Sequence, residues 1–383
     1  MLIEVRGVGT VNKGAYLMLL AVKQALQPYG NKVTIVAKDT SAFSTQDIEK
    51  EGLKRRIETK RKGIEFKPLI KLLPKSLRHK LNLYLLDDVD VILDASGFVY
   101  GDQWSKEAIN KRLGSDLKEI KGNNTTVVLL PQAFGPFEKN EIKDSFSKIL
   151  DYSSLVFSRD RQSLAYLEKT YGKKNKVVLA PDFTNLLKVD AGLVPAGTYE
   201  RSVIIIPNNK LIEKAIFTEE QYLSLLEQIC KKVYDSKLEP VILIHEGDKD
   251  HKIAKKLNAR FEEKLKVLTE PSALAQKALL GQAYAVISGR FHGLVSSLSQ
   301  GVPSIATSWS HKYEELFSDY NMGRFIIGKS DSAESIASLV DEVLNADSNK
   351  QLRQEIQACA KIEKEKSQKM WDTVFSEVIN KRK

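Results

Sequence analysis

Leu2-Ile-Glu-Val-Arg-Gly-Val-Gly-Thr-Val-Asn-Lys-Gly-Ala-Tyr-Leu-Met-Leu-Leu-Ala-Val-Lys-Gln-Ala-Leu26 decides the fold class. Leu2 to Val5 reads as a strand and Gly7 to Gly14 as a polar, glycine-rich turn. A helix then starts near Gly14, because Ala15, Met18, Leu19, Val22, Ala25 and Leu26 recur at helical spacing. Pro28 and Gly30 end it, and Val33 to Ala37 is the next strand. The alternation continues through short apolar runs at 89–93, 126–130, 155–157 and 177–179. Strands alternating with helices predict an α/β domain around a mostly parallel sheet.

Lys188 to Arg201 carries Gly192, Pro195 and Gly197 without an apolar period, and reads as a linker. A second series follows it. Strands are expected at 202–206, 240–244, 284–288 and 303–306, and helices at 218–235, 292–300, 332–344 and 348–380. The expected organisation is a first domain over 1–187, a linker over 188–201 and a second domain over 202–347. The C-terminal helix, 348–383, is expected to pack across both domains, which face each other over an interdomain cleft. Ligands in such sheets sit outside the carboxyl ends of the strands, so the loops after strands are the places to look.

The composition narrows the classes. In 383 residues, 42% are apolar and 28% charged, which excludes a mainly disordered chain. The net charge is +10, yet from Lys54 to Lys80 eleven Lys and Arg face only Glu58 and Glu65, a local balance of +9. Such a local excess argues against a nucleic-acid coat. Phe66, Leu69, Leu72 and Leu77 interleave with these cations, a pattern expected to face an anionic membrane surface. Two cysteines, Cys230 and Cys359, make neither a disulfide framework nor a zinc site, so a cytoplasmic setting, peripheral at the inner membrane face, is expected.

The strongest local signal is Ile287-Ser-Gly-Arg-Phe-His-Gly293. A strand ends, Gly289 turns the chain, and Arg290 and His292 stand at a helix start, where free N–H groups favour an anion. Arg290 suits a phosphate or carboxylate, and His292 suits proton transfer near neutral pH. Trp309-Ser-His-Lys312 opens a further helix, with Ser308 or Ser310 as its cap and Lys312 in its first turn. Further polar groups follow other strands: Asn12 and Gly14, Asp94, Gln132, Arg159, Asp182 and His245. Each of these alone is as well explained by a turn. No His or Cys pair has metal-ligand spacing, so no metal is expected.

Together these residues resemble the polysaccharide pyruvyl transferase family. The resemblance rests on Asn12-Lys-Gly14, Gln132-Ala-Phe-Gly-Pro136, Arg159-Asp160 and Asp182. Its most specific block is Arg290, His292, Gly301, Pro303 and Lys312, and the match runs from about residue 7 to 325. Where family members often carry a run of glycines, this chain has Asp94-Ala-Ser-Gly-Phe98. The resemblance implies two Rossmann-like domains in a GT-B-like architecture. It implies transfer of pyruvate from phosphoenolpyruvate to a sugar of a cell-surface polysaccharide precursor, lipid-linked or free, with no cofactor. His292 is then the catalytic acid or base, with Arg290, Lys312 and Arg159 on the phosphoenolpyruvate. Asn12, Gly14, Asp94, Gln132, Asp182 and His245 are expected to line the acceptor side of the cleft. Two other readings use the same fold: a glycosyltransferase taking a nucleotide sugar, and a non-catalytic relic.

Overall fold

The structure, a computed structural model, describes residues 1–58, 60–61, 64–270, 272–308 and 310–382. The chain divides into two compact units, Met1–Asp182 with Gln368–Lys383, and Phe183–Ser367.

The first unit is built on seven parallel strands: β1 (Leu2–Arg6), β2 (Thr34–Lys38), β3 (Lys54–Arg56), β4 (Val91–Asp94), β5 (Thr126–Gln132), β6 (Leu155–Ser158) and β7 (Val177–Leu179). Their order in the sheet is β3-β2-β1-β4-β5-β6-β7. The second unit has six parallel strands: β8 (Ser202–Ile206), β9 (Glu239–Leu243), β10 (Lys266–Leu268), β11 (Ala285–Ser288), β12 (Ser304–Thr307) and β13 (Ile326–Ile327). Its order is β10-β9-β8-β11-β12-β13, the same winding. The order reverses between β1 and β4, and again between β8 and β11. A doubly wound sheet opens a crevice at such a reversal, at the carboxyl ends of the strands.

Central strands buried on both faces need apolar runs. All five residues of β8 are buried, and Val203, Ile204, Ile205 and Ile206 supply that run. β1 is also buried throughout, but carries Glu4 and Arg6.

The boundary between the units falls earlier than the sequence suggests. Lys188 to Arg201, expected as a linker, belongs to the second unit. Val194 is buried in an apolar cluster with Ile204 and Ile206, and Gln282 donates to its carbonyl at 3.1 Å. The last long helix, Ala346–Val374, is not a separate element either. Its part up to Ser367 belongs to the second unit and its part from Gln368 to the first.

The basic segment is less uniformly a surface than its composition implies. Lys54–Arg56 is the edge strand β3, and Arg56 turns inward to Glu4. Arg78 grips the buried Asp88 with both terminal nitrogens, at 2.6 and 2.9 Å. Lys67 pairs with Asp87 and Glu119, and Lys71 with Asp87. Leu69, Leu72, Leu77 and Leu81 stay exposed, Leu72 at 80%. Thr59, Lys62 and Gly63 of this segment lie outside the described residues. Among the described residues no helix is long and apolar enough to cross a membrane.

Candidate active site

In the second unit four loops meet at the carboxyl ends of β8, β9, β11 and β12. Gly289 follows β11, and a Cβ there would lie 2.7 Å from Asn208 Cβ and 2.9 Å from Thr307 Oγ1. Only glycine lets the three loops approach this closely. The Gly289 carbonyl accepts from Asn208 Nδ2 and from the Tyr313 hydroxyl, the latter at 2.8 Å. Asn208 N donates in turn to the Tyr222 hydroxyl at 3.1 Å, and burial pushes that phenol up to about 12.

This frame fixes the backbone on which Arg290 and His292 stand. Arg290 is the residue before the helix Phe291–Leu298, and its N–H donates to Ser288 Oγ at 2.9 Å. Its guanidinium turns back across the strand ends. Nε and Nη2 donate to Asp250 Oδ2 at 2.8 and 2.5 Å, and Nη1 donates to Glu246. Asp250 is fully buried and also accepts from Asn209 N at 2.9 Å. Burial pushes the Asp250 carboxyl up, against the pull of Arg290. Glu246 is the more exposed partner, its side chain 26% accessible. The plane of Arg290 is therefore set by a buried carboxylate and closed by a more exposed one.

Phe291 is flanked in the chain by His292 and covered by Lys312. The Phe291 and His292 ring centroids are 5.4 Å apart at right angles, and Lys312 Nζ lies 5.3 Å from the Phe291 ring centroid. Lys312 lies in the first turn of the helix His311–Asp319. Ser310 occupies the cap position of that helix, but its side chain makes no capping bond, contrary to the expectation; Trp309 lies outside the described residues. Two cations and a histidine thus share the edge where the Phe291–Leu298 helix offers its free N–H groups. His245 is buried just after β9, beside Glu246.

The remaining expected site residues belong to the first unit. Arg159 and Asp182, both buried, pair at 3.2 Å. Arg159 N donates to the Gln132 carbonyl at 3.0 Å, and Gln132 is itself fully buried. Asp94 is buried too, and its two oxygens are taken by Ser96 and by the Tyr100 hydroxyl. It braces the loop after β4 and has no open face. Asn12 caps the helix Lys13–Leu26, accepting from Ala15 N at 3.0 Å, and Gly14 is buried within that helix. Arg159 therefore sits in the other unit from Arg290, His292 and Lys312.

The profile of the polysaccharide pyruvyl transferase family matches residues 12–311. The chain belongs to the polysaccharide pyruvyl transferase family. Arg290, His292 and most of the loops described above fall within that match. A search of curated proteins finds no match. Among solved structures the chain is similar to HepE of Anabaena in complex with UDP, at 12% identity and a TM-score of 0.62, over 98% of this chain and 99% of that one. It is also similar to the MnaA–UDP structure from S. aureus, at 11% identity and 0.61, over 98% and 95%. A glycosyltransferase from Rickettsia africae aligns at 13% identity and 0.61, over 99% and 98%. At this identity the likeness shows the fold, which is GT-B-like.

Three features of this pyruvyl transferase family member escaped the sequence reading. Asp250, which holds Arg290 together with Glu246, lies two residues beyond the His245-Glu-Gly-Asp248 segment and carries no signal of its own. Asn208 follows a strand but stands in no recognisable motif. Glu4 and Arg6 carried a usable signal: two charges at i and i+2 in an apolar strand project to one face.

Proposed function

We propose that this chain transfers the three-carbon unit of phosphoenolpyruvate to two hydroxyls of one sugar in a cell-surface polysaccharide precursor, forming a cyclic ketal and releasing phosphate. The observation that carries the reading is that Lys312 packs over Phe291, the residue between Arg290 and His292, at the start of the Phe291–Leu298 helix in a chain of this family.

The reaction sets the requirements. A proton adds to the methylene carbon and becomes part of a methyl group. Positive charge develops at the central carbon, the first sugar hydroxyl adds there, and the carbon–oxygen bond to phosphate breaks. The second hydroxyl then closes the ring. The two hydroxyl protons balance the one taken up at carbon and the one carried off by phosphate. His292 supplies and recovers protons, a task suited to an imidazole. Lys312 and the helix N-terminus hold the donor's anionic groups. Arg290 joins them by exchanging Glu246 for the donor, while Asp250 keeps its plane fixed.

The exposed leucines beside Lys75 and Lys80 support docking on anionic lipid, which brings the chain to a lipid-linked acceptor. Sedimentation with vesicles containing phosphatidylglycerol is expected at low salt, and a chain that stays in the supernatant there contradicts this part.

The decisive experiment measures phosphate release from phosphoenolpyruvate against a panel of free and lipid-linked galactose, mannose and N-acetylhexosamine acceptors. Acceptor-dependent release with a new ketal is expected. Turnover of uridine or guanosine nucleotide sugars in its place overturns the proposal.

A further inference from the structure

Lys312 stands where a helix is loosest. The helix His311–Asp319 opens at Ser310, whose side chain makes no capping bond. Ser310 Oγ is buried and has no hydrogen-bond partner among the described residues. A first turn without a cap keeps its N–H groups untied and frays readily. Lys312 lies in that turn, on a four-carbon stem that loses much rotamer freedom when it is held still. Placing its ammonium against Phe291 therefore needs a support that the helix end does not give.

Tyr313, the next residue, reaches both sides of the problem. It is 1% exposed. Lys312 Nζ lies 5.3 Å from the Tyr313 ring centroid and 5.3 Å from that of Phe291. The two rings meet edge to face, with centroids 6.0 Å apart and planes at 81°. A cation within this distance of an aromatic face is attracted by the ring quadrupole, more strongly where water is reduced. At its far end the Tyr313 hydroxyl donates to the Gly289 carbonyl at 2.8 Å. That carbonyl immediately precedes Arg290. One buried side chain thus touches the ammonium with its ring and the Arg290–His292 turn with its tip.

Packing alone does not call for the hydroxyl. Phenylalanine would fill nearly the same space. The Gly289 carbonyl already accepts from Asn208 Nδ2, so its pairing does not depend on Tyr313. What the second bond adds is a link between the loop after β11 and the helix after β12.

We infer that Tyr313 is a positioning residue: its ring places the Lys312 ammonium and its hydroxyl fixes the Gly289 turn, so that Lys312 and Arg290 are held in one arrangement. The inference rests on the transferase reading in taking these two cations as the phosphoenolpyruvate site.

The test uses the full chain and two readouts. Calorimetric titration with phosphoenolpyruvate gives donor affinity without an acceptor. NMR of the chain carrying 13C-labelled lysine gives the Lys312 ε-methylene signal, assigned by its absence in Lys312→Met. That signal is expected to be ring-shifted in the wild type and in Tyr313→Phe, and less shifted in Tyr313→Leu. Tyr313→Phe weakens phosphoenolpyruvate about two- to tenfold with the thermal transition retained. Tyr313→Leu binds about three- to thirtyfold more weakly than Tyr313→Phe. On the Lys312→Met background, Phe and Leu at position 313 bind alike, because the ring acts through Lys312. A tyrosine that only fills the core loses the same affinity on either background, and that result overturns the inference. So does wild-type affinity in Tyr313→Phe, which decides the matter even where Tyr313→Leu does not fold, and so does an unshifted Lys312 signal in the wild type. A chain with a ring-shifted Lys312 that binds no phosphoenolpyruvate overturns the transferase reading and leaves Tyr313 as the residue that places Lys312.

Discussion

β1 and β8 occupy the same place in two sheets wound the same way, and they carry charge differently. β1 brings Glu4 and Arg6 into the sheet itself, where Arg56 and Asp116 complete a buried network. β8 is apolar from Val203 to Ile206, and the charges of its unit arrive beyond the strand ends: Arg290 on the loop after β11, Glu246 on the loop after β9 and Asp250 in the first turn of the helix Gly247–Ala259. Strand-borne charge forms with the fold, so removing it is felt by folding. Charge placed beyond the strand ends stands on a frame that is already complete, so removing Arg290 or Glu246 is expected to be felt less by folding. The two units show how one winding separates these duties.

The largest effect expected on the loop side is that of His292→Asn. Turnover falls about 10²- to 10⁴-fold, with phosphoenolpyruvate binding and the thermal transition retained. A parallel fall in thermal stability would erase the distinction between the units. On the strand side, Glu4→Gln leaves Arg6 and Arg56 without their shared partner. It is expected to cost about 3–5 kcal/mol in urea unfolding, while phosphoenolpyruvate affinity in the other unit stays unchanged.

The same carboxylate gives a pH test. The Glu4 carboxyl is held below its ordinary value of 4.5 in the folded chain. Its stabilisation is fully present above that value and is lost as pH falls through the lowered one. Glu4→Gln therefore flattens part of the acid limb of the stability curve. An acid limb identical in both proteins contradicts the assignment. The smallest effect is that of Glu246→Gln. Removing a negative charge at the donor's edge lowers KM for phosphoenolpyruvate about fivefold, with little change in unfolding. A raised KM would mean that Glu246 holds Arg290 in place rather than giving way.

The sequence made the central strands legible because strands buried on both faces must be apolar runs. Its silence begins where the strands become short and charged. Lys54–Arg56 hides in a basic stretch, and Lys266–Leu268 and Ile326–Ile327 are too short to show a period. Arg290, His292 and Lys312 were readable because each follows a strand and opens a helix. Asp250 was not, because its burial comes from the packing of Gly247–Ala259 against the sheet. Asp94 shows the converse. A carboxylate at a strand end looks solvent-facing, yet this one is buried and accepts from Ser96 N and the Tyr100 hydroxyl.

The divided C-terminal helix sets an order in time. The second unit is one continuous stretch, whereas the first consists of residues 1–182 and a returning segment from Gln368. That segment is not ornamental: Phe375 packs on Tyr29 at 5.4 Å, Val378 and Ile379 are buried, and Arg382 Nε donates to Thr126 Oγ1 at 2.8 Å. On the ribosome, the half of the protein that is made first is therefore the half that is finished last. Its core closes only after the second unit is already whole.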